Sequence, residues 1–323
     1  MSIEQTTIRH PASDTRASIL PGFGFNCFSF EVVHNDEPLE VLWSAPGLEK
    51  GTERPSGSGI PILFPFPGRI KGTVLDWGGK SYPLQEGDGL GNAIHGFVHE
   101  RPWRVIEQSE SRIVGEFHAS VDDPSLLDCW PADFRITADY EVGDRTLTTS
   151  YKIENPCDRP LPFGFGTHPY FRVPLGGDRA DDCQVKLPVN QKWELDGMIV
   201  TGRSEPLAEA SQFRSGLVFG EMQFDNVFGE LHFHEGACTT SVRDPASKLT
   251  MAMTFDDFFS KCVVYNPPHR EAICIEPYTC LPDPFGLEQR GIDAGLQVLP
   301  PADSVLTKIH IVIFAEKGDL ASK

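Results

Sequence analysis

His168 and Glu276 are a base and an acid set in segments whose neighbours constrain the backbone around them. His168 lies in Leu161–Phe171, LPFGFGTHPYF, behind a glycine-rich strand end and ahead of Pro169. The proline forces an extended or turn conformation on the histidine. An imidazole titrates near neutrality, so it can give or take a proton at cellular pH. Glu276 follows the apolar run AICI and precedes Pro277. A carboxylate so placed is expected to be partly desolvated, which raises its pKa and its basicity. The plain alternatives are a histidine that satisfies a buried carbonyl and a strand-end glutamate in solvent.

Three further segments offer polar groups to a ligand. Gly59–Ile70, GIPILFPFPGRI, carries three prolines, which prevent a helix and spoil a central strand. It reads as a stiff, apolar, irregular backbone ending in Arg69, whose guanidinium can bond adjacent hydroxyls through its fixed fork. Asn92–Trp103, NAIHGFVHERPW, places His95 before Gly96, which allows another backbone or a ligand to approach closely. His95 and His99 have the spacing of a helical metal pair, but Gly96 argues against a helix, so no metal is expected. Trp103 reads as core rather than as a stacking platform. In Gln223–Leu231, QFDNVFGEL, Asp225 can accept hydrogen bonds from hydroxyls, although aspartate at a turn is also ordinary. Asp283 sits among prolines in a segment that reads as a loop.

The elements that must hold these groups are strands. Phe25–Val33, Arg112–Val121, Phe134–Val142, Arg145–Ile153, Leu231–His234, Leu249–Phe255, Lys261–Tyr265, Ala272–Ile275 and Lys308–Phe314 are short and rich in β-branched or aromatic residues. Asp133–Glu154 reads as a hairpin turning at Gly143-Asp144. One short helical turn is expected near Pro124–Trp130, capped by Asp122 or Asp123. Strands and helices do not alternate, which disfavours doubly wound and (β/α) barrel folds. One large antiparallel sandwich is the simplest account. Residues 1–323 are expected to form one domain, with residues 1–20 as an N-terminal arm.

Composition excludes several classes. The formal net charge of −18 repels phosphate backbones and anionic lipid surfaces, so neither nucleic acid nor membrane is an expected partner. None of the eight cysteines forms a C-x-x-C pair, and the first residues hold no apolar run of signal-peptide length. The chain reads as cytoplasmic, its thiols reduced and packed as small hydrophobes. Phosphate-loop, nucleophile-elbow and zinc-helix signatures are absent. The glycines at Gly22-Gly24 and Gly87-Gly89-Gly91 do not open a helix and give no dinucleotide signature.

Taken in order, GIPILFPFPGRI, HGFVHERPW, GTHPYF, FDNVF and IEPYTCLPDPF resemble the aldose 1-epimerase (galactose mutarotase) family. The likeness runs from about Phe25 to Phe314. It implies an all-β fold, a large antiparallel sandwich of the galactose mutarotase-like supersandwich type. It also implies an isomerase that interconverts the α and β anomers of a free aldose, a hexose such as galactose or glucose, with no cofactor. By position, His168 matches the family's general acid and Glu276 its general base, while Arg69, His95 and Asp225 match residues that hold the sugar. The base takes the proton of the C1 hydroxyl, the acid protonates the ring oxygen, and the opened aldehyde recloses on its other face. That requires Glu276 ionised and His168 protonated together; a neighbouring carboxylate raises a histidine's pKa and favours this. Gly68, where the family often has Asn, and Phe97, where many members have Gly, depart from the pattern at the sugar pocket. Rival readings are a hexose-6-phosphate epimerase-like enzyme, a non-catalytic sugar-binding module and, with less support from a His–Glu pair, a glycosidase. A monomer or homodimer is expected.

Overall fold

The computed structural model describes residues 3–315. A nine-stranded antiparallel sheet forms one layer, in the order Arg104–Gln108, Arg112–His118, Arg135–Gly143, Thr146–Glu154, Ser304–Ala315, Leu249–Asp256, Ala237–Asp244, Gln184–Lys186 and Leu217–Val218. The hairpin Arg135–Gly143/Thr146–Glu154 shows why: buried and half-exposed residues alternate along both strands, so one face packs into the core and the other meets solvent. Its turn is Asp144-Arg145, one residue later than expected, with Arg145 at φ +55°.

The second large sheet carries the chemistry. Its order is Ile199–Pro206, Gln191–Asp196, Asp225–Gly229, Lys261–Tyr265, Ala272–Tyr278, Gly166–Thr167 and Ile62–Leu63, and Tyr170–Arg172 also pairs with Ala272–Tyr278. Ala272–Tyr278 is buried along its whole length. Ile273 and Ile275 point into the main core, which spans both sheets. The even-numbered side chains therefore face the other way. The strand does not stop at Ile275 but runs through Glu276 and Pro277 to Tyr278. A strand tolerates proline where no ladder bond is demanded, and here the neighbouring strand is broken between Thr167 and Tyr170.

Several expectations need correction. Residues 3–20 are not an arm: Thr6–His10 and Thr15–Leu20 are strands of a four-stranded sheet, with Ile8, Ala17, Ile19 and Leu20 fully buried. Leu231–His234 is not a strand, because Glu230 and Glu235 at φ +50° bend the chain and His234 closes a tight turn with Ala237. The Arg112 strand ends at His118 and continues as the short helix Ala119–Asp122. The helical turn Leu126–Cys129 is present, with Ser125 rather than an aspartate at its N-cap. All eight cysteines are free. Among the described residues, no helix is long and apolar enough to cross a membrane.

Candidate active site

Register brings the two proton-handling residues together. Gly166 lies opposite Tyr278, and Tyr170 lies opposite Cys274. The same antiparallel register, carried across the break at His168-Pro169, sets His168 opposite Glu276. Directly opposed residues have Cβ atoms about 5 Å apart, and their side chains meet: His168 Nε2 is 3.2 Å from Glu276 Oε1. Both are buried at the base of a cavity of about 640 Å³. The His168 ring stacks on Tyr170 at 4.7 Å, and Tyr170 is anchored by its hydroxyl donating to the Ser56 carbonyl. Tyr278 donates its hydroxyl to Glu276 Oε2 at 2.6 Å.

The other three candidates line the same cavity. The Pro-rich segment forms no more than the two-residue edge strand Ile62–Leu63 before Arg69–Ile70 pairs with Ala93–Ile94. Arg69 is steered by Asp88, whose buried carboxylate accepts from Arg69 Nε at 2.9 Å. Burial alone raises Asp88. Bonds from the Asn92 side chain and backbone, the Leu90 backbone and Arg69 outweigh it and hold the carboxyl well below its usual range. His95 sits at φ +66°, in the left-handed region, and Gly96 follows at φ +71°. A Cβ on Gly96 would lie 2.2 Å from the Phe64 carbonyl oxygen, so only glycine lets that backbone pass. The close neighbour is thus the Phe64 backbone, which also accepts from Phe97 N–H at 2.8 Å. The turn aims His95 at the dyad, with its ring 5.6 Å from that of His168. Asp225 opens its strand at the cavity mouth, exposed on its outer side; desolvation raises its carboxyl and Arg69 opposes the rise.

Burial also decides the charges. It pushes the Glu276 carboxyl up to about 8, against the Tyr278 hydrogen bond. It pulls His168 down to about 3, helped by His99, and burial with the neighbouring imidazoles His168 and His99 takes His95 well below the ordinary histidine range. The expected mutual stabilisation of carboxylate and imidazolium is therefore weaker than the cost of burying either charge. Between about pH 3 and about pH 8 the His168–Glu276 pair holds one proton, and in the empty site burial favours it on the carboxyl. Glu276 Oε1 and His95 Nδ1 are buried without a hydrogen-bond partner. Such atoms are satisfied when a polar ligand enters.

His95 and His99 do not form a helical pair, since Val98–Glu100 is one tight turn, and His99 lies instead 3.5 Å from Glu100. Among the described residues, His168, Cys274 and Glu276 present donor atoms within 4.8 Å of one another. Burial keeps the Cys274 thiol protonated, well above its ordinary pKa. A protonated thiol is a poor cation ligand, and Glu276 Oε2 is already engaged by Tyr278.

Sequence reading missed Asp88, Tyr170 and Tyr278. Tyr278 lies two residues beyond Glu276 and so on the same strand face; ending the strand at Ile275 hid it. Asp88 stands inside the glycine cluster dismissed as a nucleotide signature. Trp103 is core, stacked on Phe25 with its indole N–H bonded to the Val98 carbonyl. Phe97 packs on Phe66 and Trp130 and forms part of the cavity wall.

Residues 7–311 match the family described as "Aldose 1-epimerase". Over 282 residues, 82% of this chain and 87% of its relative, the sequence is 23% identical to the uncharacterized protein YphB of Escherichia coli K12. A galactose mutarotase-like protein from Clostridium acetobutylicum superimposes with TM-score 0.84 at 20% identity, covering 98% of this chain and 99% of that one. A GalM/aldose epimerase homologue from C. elegans gives 0.78 at 18% identity over 97% and 99% of the two chains. Galactose 1-epimerase from Lactobacillus acidophilus NCFM gives 0.72 at 16% identity over 98% and 100%. At these identities the structural likeness establishes the fold.

Proposed function

The chain belongs to the aldose 1-epimerase family, and from that premise we propose that it interconverts the α and β anomers of a free aldose, with Glu276 as base and His168 as acid. The observation that carries this reading is the 3.2 Å contact between His168 Nε2 and Glu276 Oε1 at the base of the cavity. Ring opening moves a proton from the C1 hydroxyl to Glu276 and another from His168 to the ring oxygen. The pair is then a neutral imidazole beside a carboxylic acid, the form burial favours. Ring closure on the other face of the aldehyde reverses both transfers. The reaction thus alternates between two placements of one proton, and net charge in the pocket never changes. The cost falls at the start, when the bound sugar must draw the proton onto His168. The Tyr278 hydrogen bond to Glu276 offsets part of that cost.

One proton on the pair is the active count, which sets the pH dependence. Above about pH 8 that proton is lost, His168 has nothing to donate, and kcat/KM falls. A second proton is taken up only near pH 3. A plateau through neutrality and mild acid with an alkaline fall is the expected profile. A maximum confined to alkaline pH would contradict it.

Arg69 and Asp225 hold the sugar in this reading. Arg69→Ala or Asp225→Ala is expected to raise KM with a smaller change in kcat. A lost hydrogen bond to a charged group is worth about 1.5–3 kcal/mol, so kcat/KM should fall about 10- to 150-fold. Steady-state anomer exchange on each variant checks this.

Free rather than phosphorylated sugar is favoured because the cavity's arginines are mostly engaged. Arg69 is bonded to Asp88, and Arg101 to Asp123 and the Phe97 carbonyl. Exposed Arg54 also lines the cavity, where its charge helps His99 hold down the Glu100 carboxyl, and it is the cation that a 6-phosphate would meet. Anomer exchange measured with an aldose and with its 6-phosphate separates the two substrates. Preference for the phosphate, lost in Arg54→Ala, would overturn the free-sugar reading.

A further inference from the structure

Tyr278 shares a strand face with Glu276 and lines the same cavity, yet the exchange chemistry assigns it no proton. We propose that Tyr278 is a positioning residue for the base: its hydroxyl holds Glu276 Oε2, leaving Oε1 as the oxygen turned to His168 and the sugar. This inference rests on the acid–base reading above and deepens it.

The geometry supports it on three counts. The hydroxyl donates to Oε2 at 2.6 Å, while Oε1 is buried, without a hydrogen-bond donor, and 3.2 Å from His168 Nε2. The two carboxylate oxygens are therefore in different environments, one committed and one free. Second, the tyrosine ring lies in a slot that glycine at position 166 leaves open. A Cβ on Gly166 would lie 2.5 Å from ring Cδ1. A Cβ on Gly68, at φ +63°, would lie 2.9 Å from Pro282 Cγ and 3.5 Å from ring Cε2. Gly68 is the position where the sequence departs from the family's frequent asparagine. Here a larger residue would be strained by the left-handed backbone and would press on Pro282, while its Cβ would make only an ordinary contact with the tyrosine ring. Third, the direction of donation is fixed. Burial and the adjacent carboxylate hold the Tyr278 phenol well above its ordinary pKa, so it keeps its proton, and toward the ionised, acceptor-only carboxylate it must be the donor.

The consequence is specific. A hydrogen bond to the ionised form favours that form, so Tyr278 works against the burial that drives Glu276 toward neutrality. Other groups face Glu276 from each packed element. Asp225 from its strand raises the carboxyl and Arg69 lowers it. His168 meets it across the sheet. Cys262 and Tyr265 on the adjoining strand, Tyr170 opposite and Cys274 on its own strand stay protonated, their pKa values raised chiefly by burial. Of these, only Tyr278 makes a hydrogen bond to the carboxylate with its side chain.

The test is Tyr278→Phe in the full chain, which keeps the ring and removes the donor. Anomer exchange should show kcat reduced about 10- to 100-fold, as for loss of a bond to a charged group, with KM within about twofold. The alkaline limb of the pH profile should move upward. Isotope-edited infrared spectroscopy, reading the band that Glu276→Gln abolishes, should show the protonated carboxyl persisting to higher pH in Tyr278→Phe than in wild type. An unmoved alkaline limb and unmoved carboxyl band, whatever happens to kcat, would overturn the proposal. Because the infrared titration needs no turnover, it reports on Tyr278 even if wild type fails to accelerate exchange. That failure would instead strike at the acid–base reading.

Discussion

Glu276→Gln is expected to lower kcat for anomer exchange by about 10²–10⁴-fold, the usual contribution of a positioned general base. The amide matches the carboxyl in shape and cannot take the C1 proton. KM should change little, because Arg69, His95 and Asp225 remain at the cavity wall. Stability should move the other way. Burial raises the folded-state pKa of Glu276 to about 8, above the ~4.3 of an unfolded glutamate. The wild-type group thus favours folding most below about pH 4 and loses that contribution as pH rises toward 8. A neutral glutamine does not titrate. The variant's Tm relative to wild type should therefore climb between mild acid and pH 8. Melting curves at several pH values, read beside kcat, separate lost chemistry from lost fold. Lower activity together with an unchanged or higher Tm at neutral pH is the expected pairing.

His168→Asn is expected to cost a similar factor in kcat, about 10²–10⁴-fold, for a different reason. Ring opening would lack the donor that protonates the ring oxygen, and Glu276, with no imidazole to receive its proton, would stay protonated up to about pH 8 and take the C1 proton only above that. The loss should be largest where the wild-type pair holds its single proton, and the alkaline fall should give way to a rise of the residual rate as Glu276 ionises. The two residues act on one reaction coordinate. The double variant should therefore be scarcely worse than either single, since groups that work as a unit lose their effect together. Additive losses would mean that the two side chains serve separate steps.

The parts of this site legible in the sequence were those written locally. Pro169 after His168 and the apolar run before Glu276 marked both residues, and the proline-rich stretch before Arg69 foretold an irregular backbone. Strand alternation gave the hairpin Arg135–Gly143/Thr146–Glu154 to within a residue. What local sequence does not carry is register. That His168 stands opposite Glu276 follows from pairing between strands about a hundred residues apart. Proline was also misleading at Pro277, because an interrupted neighbour strand spares it the ladder bond that would have ended the element. The first twenty residues lacked a long apolar run, yet their alternation was enough to bury Ile8 and Ile19 in a sheet. Charge state was the least legible of all. Adjacent acid and base suggested an ion pair, whereas the depth of both groups favours one shared proton.

Paired proton transfers, from the C1 hydroxyl of a bound aldose to Glu276 and from His168 to its ring oxygen, then reversed on the other face, interconvert its anomers. Magnetisation-transfer NMR between the α and β anomeric signals of a panel of free aldoses, with Glu276→Gln as control, measures that event directly. Accelerated exchange with at least one free aldose, abolished in Glu276→Gln, is the predicted result. Sugar binding with exchange no faster than in buffer, or undiminished exchange in Glu276→Gln, would contradict it.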